Sequence, residues 1–353
     1  MTEPLISVVV PAHGAELLLP YCLGAIVLSD LPRAQWELIV VDDASRDATA
    51  AIAATIADKV VELTGEPRGP AFARNRGFEA ARGDLVAFVD ADVCIHPDVL
   101  SRFATLFRDD ARLGAVLGSY DDEPSVPAFV SQYRNLLHHY VHQRNAGYAR
   151  SFWAGCGAVR RELFIEAGMF DENRYGRPQI EDVELGYRMH DKGHRLLLDP
   201  SILGTHRKRW TLGGMIRSDF SHRGVPWTHL LLQRGEFLDG QSLSVGTGDK
   251  LSVAMVMLFA VCLLLLIAFH NILAVSATIL CLLILLVLNR QLIGWYSRKR
   301  GIRFAAGAFV MHIVYHATNV ASVAYGAATH FLGSPAPGIW PSRTTGRAGE
   351  KTR

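Results

Sequence analysis

The sequence predicts an α/β domain, built on a mostly parallel sheet flanked by helices, that is followed by C-terminal transmembrane helices. Two observations carry this prediction. Short apolar runs alternate with helix-forming segments over the first hundred residues, and two long uncharged runs occur late in the chain. Continuous apolar strands separated by helices are typical of a parallel sheet that is covered on both faces.

The strands and helices of this domain are expected in alternation. Four strands are predicted, with the sequences LISVVVPA (5–12), WELIVVDDAS (36–45), VVELTG (60–65) and LVAFVDAD (85–92). The helix-forming segments between them are AELLLPYCLGAIVLS (15–29), RDATAAIAATIADK (46–59) and GPAFARNRGFEAARGD (69–84). Further along, IEDVELGYRMHDKG (180–193) predicts a helix that begins near Asp182 and ends at Gly193.

Polar side chains follow three of the predicted strands. His13 comes after the first, Asp42 and Asp43 end the second, and Asp90 and Asp92 end the fourth. Ligands of open α/β sheets bind at the carboxyl ends of the strands. These residues therefore predict a single site.

Each acidic pair has a functional and a structural interpretation. Asp90 and Asp92 are two residues apart, so an extended strand points both carboxylates to one side, where hard oxygen ligands suit Mg²⁺ or Mn²⁺. The pair is equally compatible with a turn that ends a strand. Asp42 and Asp43 can accept hydrogen bonds from a ribose or a base, while Ser45 caps the next helix.

Two later segments add candidate residues. Asp182 at a helix start is either a general base or a favourable charge at the helix N-terminus. His206 is a metal-ligand candidate, although an isolated histidine is often structural. The basic residues beside it can offer positive charge to a leaving diphosphate.

Several classes of protein are disfavoured. A net charge of +2 and the lack of a basic stripe argue against nucleic-acid binding. The turn PAHGAEL after the first strand lacks GxGxxG, which argues against a Rossmann dinucleotide site. The five scattered cysteines are expected to be reduced packing residues. The start MTEPLISVVVP does not resemble a signal peptide.

The late apolar runs, 251–269 and 272–288, are each near the roughly 20 residues that a membrane-spanning helix needs. They lack the polar face of a soluble helix, so we expect both to cross a membrane. The uncharged segment 304–332 contains His312, His316 and Asn319, and is expected to form a third span or an interfacial helix.

Basic residues flank these runs at Arg290, 298–300 and Arg303, and by the positive-inside rule these flanks are cytoplasmic. We therefore expect a multi-pass protein of the inner membrane whose catalytic domain faces the cytoplasm. The expected units are a catalytic domain over 1–235, a membrane domain over 236–333 and a disordered basic tail over 334–353.

The segment 5–210 resembles a family 2 glycosyltransferase of the GT-A fold, because its motifs occur in the order that is typical of that family. The motifs are SVVVPAHG, VVDDASRD, GPAFARNRG, FVDADV, GCGAVRRELFIEAGMFDE and EDVELGYR. The first departs from the family pattern Pro-x-Tyr/Phe-Asn, because His13 and Gly14 take the last two places.

The resemblance implies a role for each matching residue. Asp182 is the implied catalytic base, and Mn²⁺ or Mg²⁺ is the implied cofactor, held by Asp90, Asp92 and His206. Trp153, Gly155 and Glu181 are implied on the acceptor side, and Arg207 and Arg209 at the diphosphate. The implied nucleotide-binding residues are Pro11, His13, Asp42, Asp43, Arg74, Asn75 and Asp90.

The implied reaction is the inverting transfer of one sugar from a nucleotide-diphosphate sugar, with a UDP-sugar favoured, to a lipid-linked or glycan acceptor. Processive synthases carry Gln-x-x-Arg-Trp, whereas this chain has HRKRW at 206–210 and only two clear apolar runs. A processive synthase subunit and a non-catalytic nucleotide-sugar-binding scaffold are the alternatives. A nucleotidyltransferase would need a glycine-rich phosphate loop that PAHGAELL lacks.

Overall fold

A computed structural model describes residues 5–237 and 247–333 of the chain. Its strands are β1 Ile6–Ala12, β2 Trp36–Asp43, β3 Lys59–Leu63, β4 Leu85–Val89, β5 Val93–Ile95, β6 Leu113–Tyr120, β7 Gly147–Ala149, β8 Cys156–Arg160 and β9 Arg195–His206. The basic tail expected over 334–353 lies outside the described residues.

The helices of the first part are α1 Leu19–Val27, α2 Thr49–Ala54, α3 Pro70–Ala80, α4 Val99–Asp109, α5 Phe129–Arg144, α6 Arg161–Glu166, α7 Glu181–Asp191, α8 Leu212–Arg217 and α9 Val225–Gln233. Those of the second part are α10 Thr247–Phe269, α11 Ile272–Leu288, α12 Arg290–Arg300 and α13 Ile302–Phe331. A short 3₁₀ helix covers Arg33–Gln35, and a π-helix covers Ser218–Gly224 between α8 and α9.

The strands form one sheet in the order β3-β2-β1-β4-β8-β6-β9-β5, with β7 paired to β9. The predicted α/β sheet is confirmed, and its first four strands are parallel as expected. The second half is mixed, because β8 runs antiparallel to both β4 and β6, and β5 and β7 run antiparallel to β9. The sheet is therefore mixed rather than mostly parallel.

The alternation of side chains along β1 explains how the two faces of the sheet are covered. Val8 and Val10 pack with α1 and α4 on one face, whereas Val9 packs with α3 on the other. Helix α3 approaches β1 closely, since a Cβ atom on Gly77 would lie 2.3 Å from Val9 Cγ1. The sheet is thus held between two helical layers, and the carboxyl ends of β1, β2 and β4 remain free to form a site.

The C-terminal helices pack onto this domain through α5, α12 and α13. A third apolar cluster joins Tyr133 and Leu136 of α5 to Tyr296 of α12 and Ala308 of α13. Lys299 forms an ion pair with Asp122, a residue of the sheet domain. Helix α12, including part of the basic flank that the sequence pattern assigns to the membrane border, is thereby attached to the α/β domain.

Only one described helical segment, Leu251–Phe269 in α10, is by itself long and apolar enough to cross a membrane. Helix α11 reaches that length only together with α12, and the two are bent by 71°. The sequence pattern predicted two membrane spans, and by length and composition only the first of them, in α10, qualifies by itself among the described helices. Helix α13 buries one face against α5, α9 and the π-helix, so it connects the α/β domain to the α10–α11 hairpin.

Candidate active site

A cavity of about 1430 Å³ opens at the carboxyl ends of β1, β2 and β4 and continues towards α10 and α13. Most of the residues predicted for the site line it. They are Pro11, His13, Asp43, Arg74, Asp90, Asp92, Trp153, Glu181, Asp182 and His206. Its volume exceeds the roughly 300–1,000 Å³ of a typical small-molecule pocket, so it has room for two substrates.

Asp90 and Asp92 lie in the connection between β4 and β5, and they face different partners. Asp90 accepts a hydrogen bond from Arg74 Nη2 at 2.7 Å, whereas Asp92 Oδ2 lies 3.5 Å from His206 Nε2. His206 reaches Asp92 because β5 pairs with β9 in the register Val93–His206. Burial raises the pKa of Asp92, but the hydrogen bond and charge that His206 contributes when its Nε2 is protonated, together with the charge of Lys208, hold that pKa below its usual range.

The ring of His206 is held in one orientation by two contacts. Its Nδ1 lies 2.6 Å from Asn135 Oδ1, and its ring stacks on Tyr120 with centroids 4.4 Å apart. An amide oxygen only accepts, so Nδ1 carries a proton, and in the neutral ring the lone pair of Nε2 points towards Asp92. This arrangement is the one that a metal-ligating histidine needs.

The donor set of Asp92 and His206 fits a divalent cation that takes its other ligands from elsewhere. Their facing atoms, a carboxylate oxygen and an imidazole nitrogen, are both ligands that such ions accept. Within the described residues, no three His, Cys, Asp or Glu side chains form a complete metal site. Water and substrate oxygens would have to complete the coordination, which is common for Mg²⁺.

Arg74 joins the metal side of the cavity to the opposite side. Its side chain is 5% exposed and donates to Asp90 and, at 2.9 Å, to Glu181 Oε1. A buried guanidinium between two carboxylates links them and fixes their separation. Helix α3 thereby sets the position of α7, whose second residue is Asp182.

Asp182 has the environment of a general base. Its carboxylate accepts hydrogen bonds from Ala154 N at 3.1 Å and Val183 N at 2.8 Å. Burial, followed by the charge of Glu181, raises the pKa of Asp182 to about 6, while Arg74 opposes the rise. A carboxylate with a pKa close to neutral is suited to proton abstraction.

Asp43 organises the loop that leads into α3. Its carboxylate accepts from Arg68 N at 3.0 Å and Gly69 N at 2.7 Å, and its carbonyl accepts from His13 Nδ1 at 2.7 Å. Gly69 has a φ of +89°, and a Cβ there would lie 2.9 Å from the backbone of Gly176. Asp43 therefore shapes the cavity wall as well as lining it.

Three predicted residues lie next to the cavity without lining it. Asp42 is 4% exposed and accepts weakly from Ser45 N. Asn75 bridges α3 to the segment after α6, because it donates to Phe170 O at 2.9 Å. Gly155 lies under Trp153, where a Cβ would come within 2.6 Å of the indole. Their described contacts are structural.

The basic residues after β9 are arranged differently from the expectation. Arg207 covers the ring of Tyr21 at 3.8 Å, and neither Arg207 nor Arg209 lines the cavity. Lys208, between them, does line it, with its Nζ 4.8 Å from the Trp210 ring. Lys208 is therefore the cation of this cluster that faces the cavity.

Sequence reasoning missed the contributions of α5 and of the C-terminal helices. Helix α5 supplies Asn135 to His206 and Arg134 to the π-helix. It also places His138 and His142 in the cavity wall. The spacing of His138 and His142, four residues apart in RNLLHHYVHQR, was the signal for a functional helix face.

A parallel half-sheet that ends in acids, joined to antiparallel strands that return a histidine to them, defines an α/β fold of the GT-A type. Residues 7–168, a little under half of the chain, match the model of glycosyl transferase family 2, so this part of the chain is a family 2 glycosyltransferase domain. The fold is similar to that of mannosyltransferase PcManGT from Pyrobaculum calidifontis, solved with GDP-Man and Mn²⁺. The TM-score is 0.61 at 21% identity, over 94% of this chain and 88% of that chain.

Two curated glycosyltransferases are similar to this chain at the sequence level. Glycosyltransferase AglE from Haloferax volcanii is 25% identical over 227 residues, which is 62% of this chain and 72% of that protein. Probable glycosyltransferase YdaM from Bacillus subtilis is 26% identical over 214 residues, which is 57% of this chain and 50% of that protein. The chain thus spans about half of YdaM's length.

Proposed function

We propose that this protein is an inverting, metal-dependent glycosyltransferase that moves a single sugar from a nucleotide-diphosphate sugar to an acceptor hydroxyl. The observation that carries the proposal is Asp182, a carboxylate with a pKa of about 6 in the same cavity as Asp92 and His206. A binding scaffold has no need of such a base. The structure of PcManGT with GDP-Man and Mn²⁺ supports a nucleotide-sugar donor and a divalent cation.

The donor lies against the strand ends in this proposal. Pro11, His13 and Asp43 receive the nucleoside, for which a uridine is favoured, and Asp42 and Asn75 support that wall from behind. Lys208 meets the diphosphate in place of Arg207 and Arg209.

Asp92 and His206 would hold Mn²⁺ or Mg²⁺, with Asp90 beside them. A bound ion would neutralise part of the charge that grows on the leaving diphosphate. Asn135 keeps the Nε2 lone pair of His206 directed into the site.

Transfer proceeds as one displacement. Asp182 accepts the proton of the acceptor hydroxyl, and the oxygen attacks the anomeric carbon from the face opposite the nucleotide. The anomeric carbon–oxygen bond to the diphosphate breaks, its electron pair leaves with the nucleoside diphosphate, and configuration inverts. Lys208 offsets part of the developing charge. Trp153 and Glu181 lie beside Asp182 on the acceptor side.

The exposed apolar surface of α10 and α11 supports a membrane location. Leu264 and Leu273 are 67% and 77% exposed, which is unfavourable for such side chains in water. We propose that residues 1–235 form a cytoplasmic catalytic domain and that α10 and α11 within 236–333 insert into the inner membrane. Helices α12 and α13 stay against the catalytic domain. A lipid-linked acceptor, or a glycan presented at that surface, is the substrate that such an enzyme meets.

The decisive experiment compares Asp182→Asn with a control on the same helix. Membranes that contain each variant are incubated with a panel of sugar nucleotides and endogenous lipid, and released nucleoside diphosphate is measured. We expect Asp182→Asn to lower transfer by about 10²–10⁴-fold. Asp191→Asn, at the exposed end of α7, should leave transfer unchanged.

Full transfer by Asp182→Asn would refute the role of Asp182. If wild-type protein released nucleotide from no donor, the scaffold alternative would be favoured instead. The length of the product separates single transfer from processive synthesis.

A further inference from the structure

The cations that line the cavity differ in whether they have partners. Arg74, Arg134 and Arg150 each form ion pairs, with Glu181, Asp219 and Glu236 respectively. Among the described residues, Arg177, Lys208 and Arg223 line the cavity without an ion pair. Cations without carboxylate partners in a cleft are favourable sites for an anionic ligand.

Arg223 is distinguished from the other two by its position on the π-helix. π-helical turns are rare and frequently occur at functional sites. The π-helix is fixed from two sides, because Asp219 accepts from Arg134 Nη2 at 2.6 Å and Gly224 packs against α13. A Cβ on Gly224 would lie 2.1 Å from Ser322 Oγ. His222 and Arg223 are therefore held at the cavity by a rigid support.

The electrostatics agree with a positive region at this end of the cavity. Burial is the main cause that lowers the pKa of His222, and four positive charges lower it further; they belong to Arg217, Lys208, Arg223 and Arg177. Burial also lowers the pKa of His142 to about 4, with Arg223 contributing in the same direction. A bound anion would relieve this accumulation of positive charge.

Beyond the π-helix the cavity wall becomes apolar. Val253 and Met257 of α10 and Val320 and Val323 of α13 line it. Met257 and Val323 are also 53% and 38% exposed, so the apolar wall continues onto the outer surface of these helices. The cavity is thus open to an apolar chain that arrives from the side of α10, the segment suited to crossing a membrane.

We propose that His222 and Arg223 bind the phosphate or diphosphate head of an anionic lipid acceptor whose apolar chain leaves the cavity between α10 and α13. This inference rests on the proposed transferase function and names the class of its acceptor. The lining of the cavity supports it, because Asp182, the π-helix residues His222 and Arg223, and the aliphatic side chains of α10 and α13 all line the same cavity. A neutral lipid or a free glycan would leave the cations unused.

The test measures binding apart from transfer. Full-length protein in phosphatidylcholine nanodiscs is titrated with dodecyl phosphate, with dodecanol and with inorganic phosphate. The fluorescence of Trp153, Trp210 and Trp227, which line the cavity, reports binding. We expect dodecyl phosphate to bind at least about tenfold more tightly than either of the other probes, since only it offers both the charge and the chain.

Arg223→Gln should weaken dodecyl phosphate binding by roughly tenfold, the effect of losing one charge-assisted hydrogen bond. Arg217→Gln is the matched control, because Arg217 is exposed on the preceding turn and does not line the cavity. Equal losses in the two variants, or equal binding of dodecyl phosphate and dodecanol, would overturn the proposal. Equal binding of inorganic phosphate would assign the site to a small anion instead of a lipid.

Asp182→Asn separates this inference from the transferase function. It should bind dodecyl phosphate like wild type while losing transfer. Loss of transfer without any preference for the phosphate would retain the glycosyltransferase and overturn the anionic acceptor.

Discussion

The two walls of the cavity are built in different ways. The first wall, made by Pro11, His13, Asp43 and Arg74, comes from the first four strands and α3, and its charged groups are occupied within the protein. The second wall comes from β9, α5, the π-helix, α10 and α13, and it leaves Lys208 and Arg223 without ion pairs among the described residues. The charges of the first wall are therefore paired within the protein, whereas the second wall leaves positive charge for a ligand.

The largest effect is expected where the first wall is broken. Arg74→Gln leaves Glu181 and Asp90 without their shared guanidinium, and Glu181 is buried. Loss of one partner of a buried ion pair costs about 3–5 kcal/mol. Thermal and denaturant unfolding of the purified protein measure this change in stability.

Arg76→Gln is the control for that variant, because Arg76 is partly exposed and pairs with Glu172 and Glu79 at the surface of α3. We expect a loss below about 1 kcal/mol there. Similar losses in both variants would contradict the special role of the Arg74 pairs.

The second wall is tested at Asn135, which orients His206 from a distant helix. Asn135→Ala should lower the affinity for Mn²⁺ by about 10–100-fold, as is usual when the hydrogen-bond partner of a metal ligand is lost. Electron paramagnetic resonance of Mn²⁺ measures binding without reference to turnover. Asn145→Ala, at the exposed end of α5, should bind Mn²⁺ like wild type.

The role of Asp182 on α7 is tested by pH, because Asp182 can accept a proton only as a carboxylate. Its pKa of about 6 means that transfer rises with pH below that value and levels off above it. The rate should fall about tenfold for each pH unit below the pKa. A profile of kcat/KM against pH measures this limb, and a flat profile down to about pH 4 would exclude a base with this pKa.

The smallest effect is expected outside both walls, at the ion pair of Lys299 and Asp122 that attaches α12. The two side chains are partly exposed, so their coupling should be below about 1 kcal/mol. A double-mutant cycle of Lys299→Gln and Asp122→Asn, read by thermal unfolding, measures it. A larger coupling would mean that α12 depends on this contact rather than on the packing of Tyr296.

Residues near one another in the chain were predictable. The strand β2 is apolar over Leu38–Val41 and ends in acids, so both its burial and its place at the site follow from the pattern. The sequence did not predict which of the three consecutive basic residues 207–209 faces the cavity. That depends on the direction in which the chain leaves β9, which turns Lys208 towards the cavity and Arg207 towards Tyr21. No local pattern specifies that direction.

The sequence by itself determined the parallel start of the sheet, the acids at its strand ends, the helix that begins beside Asp182 and the apolar character of α10 and α11. These follow from periodicity and composition, which act over a few residues. Only the tertiary structure decided that β5 pairs with β9, that Asn135 orients His206 and that the π-helix brings Arg223 to the same cavity as Asp182. Each of these depends on packing between segments far apart in the chain, for which neighbouring residues carry no signal.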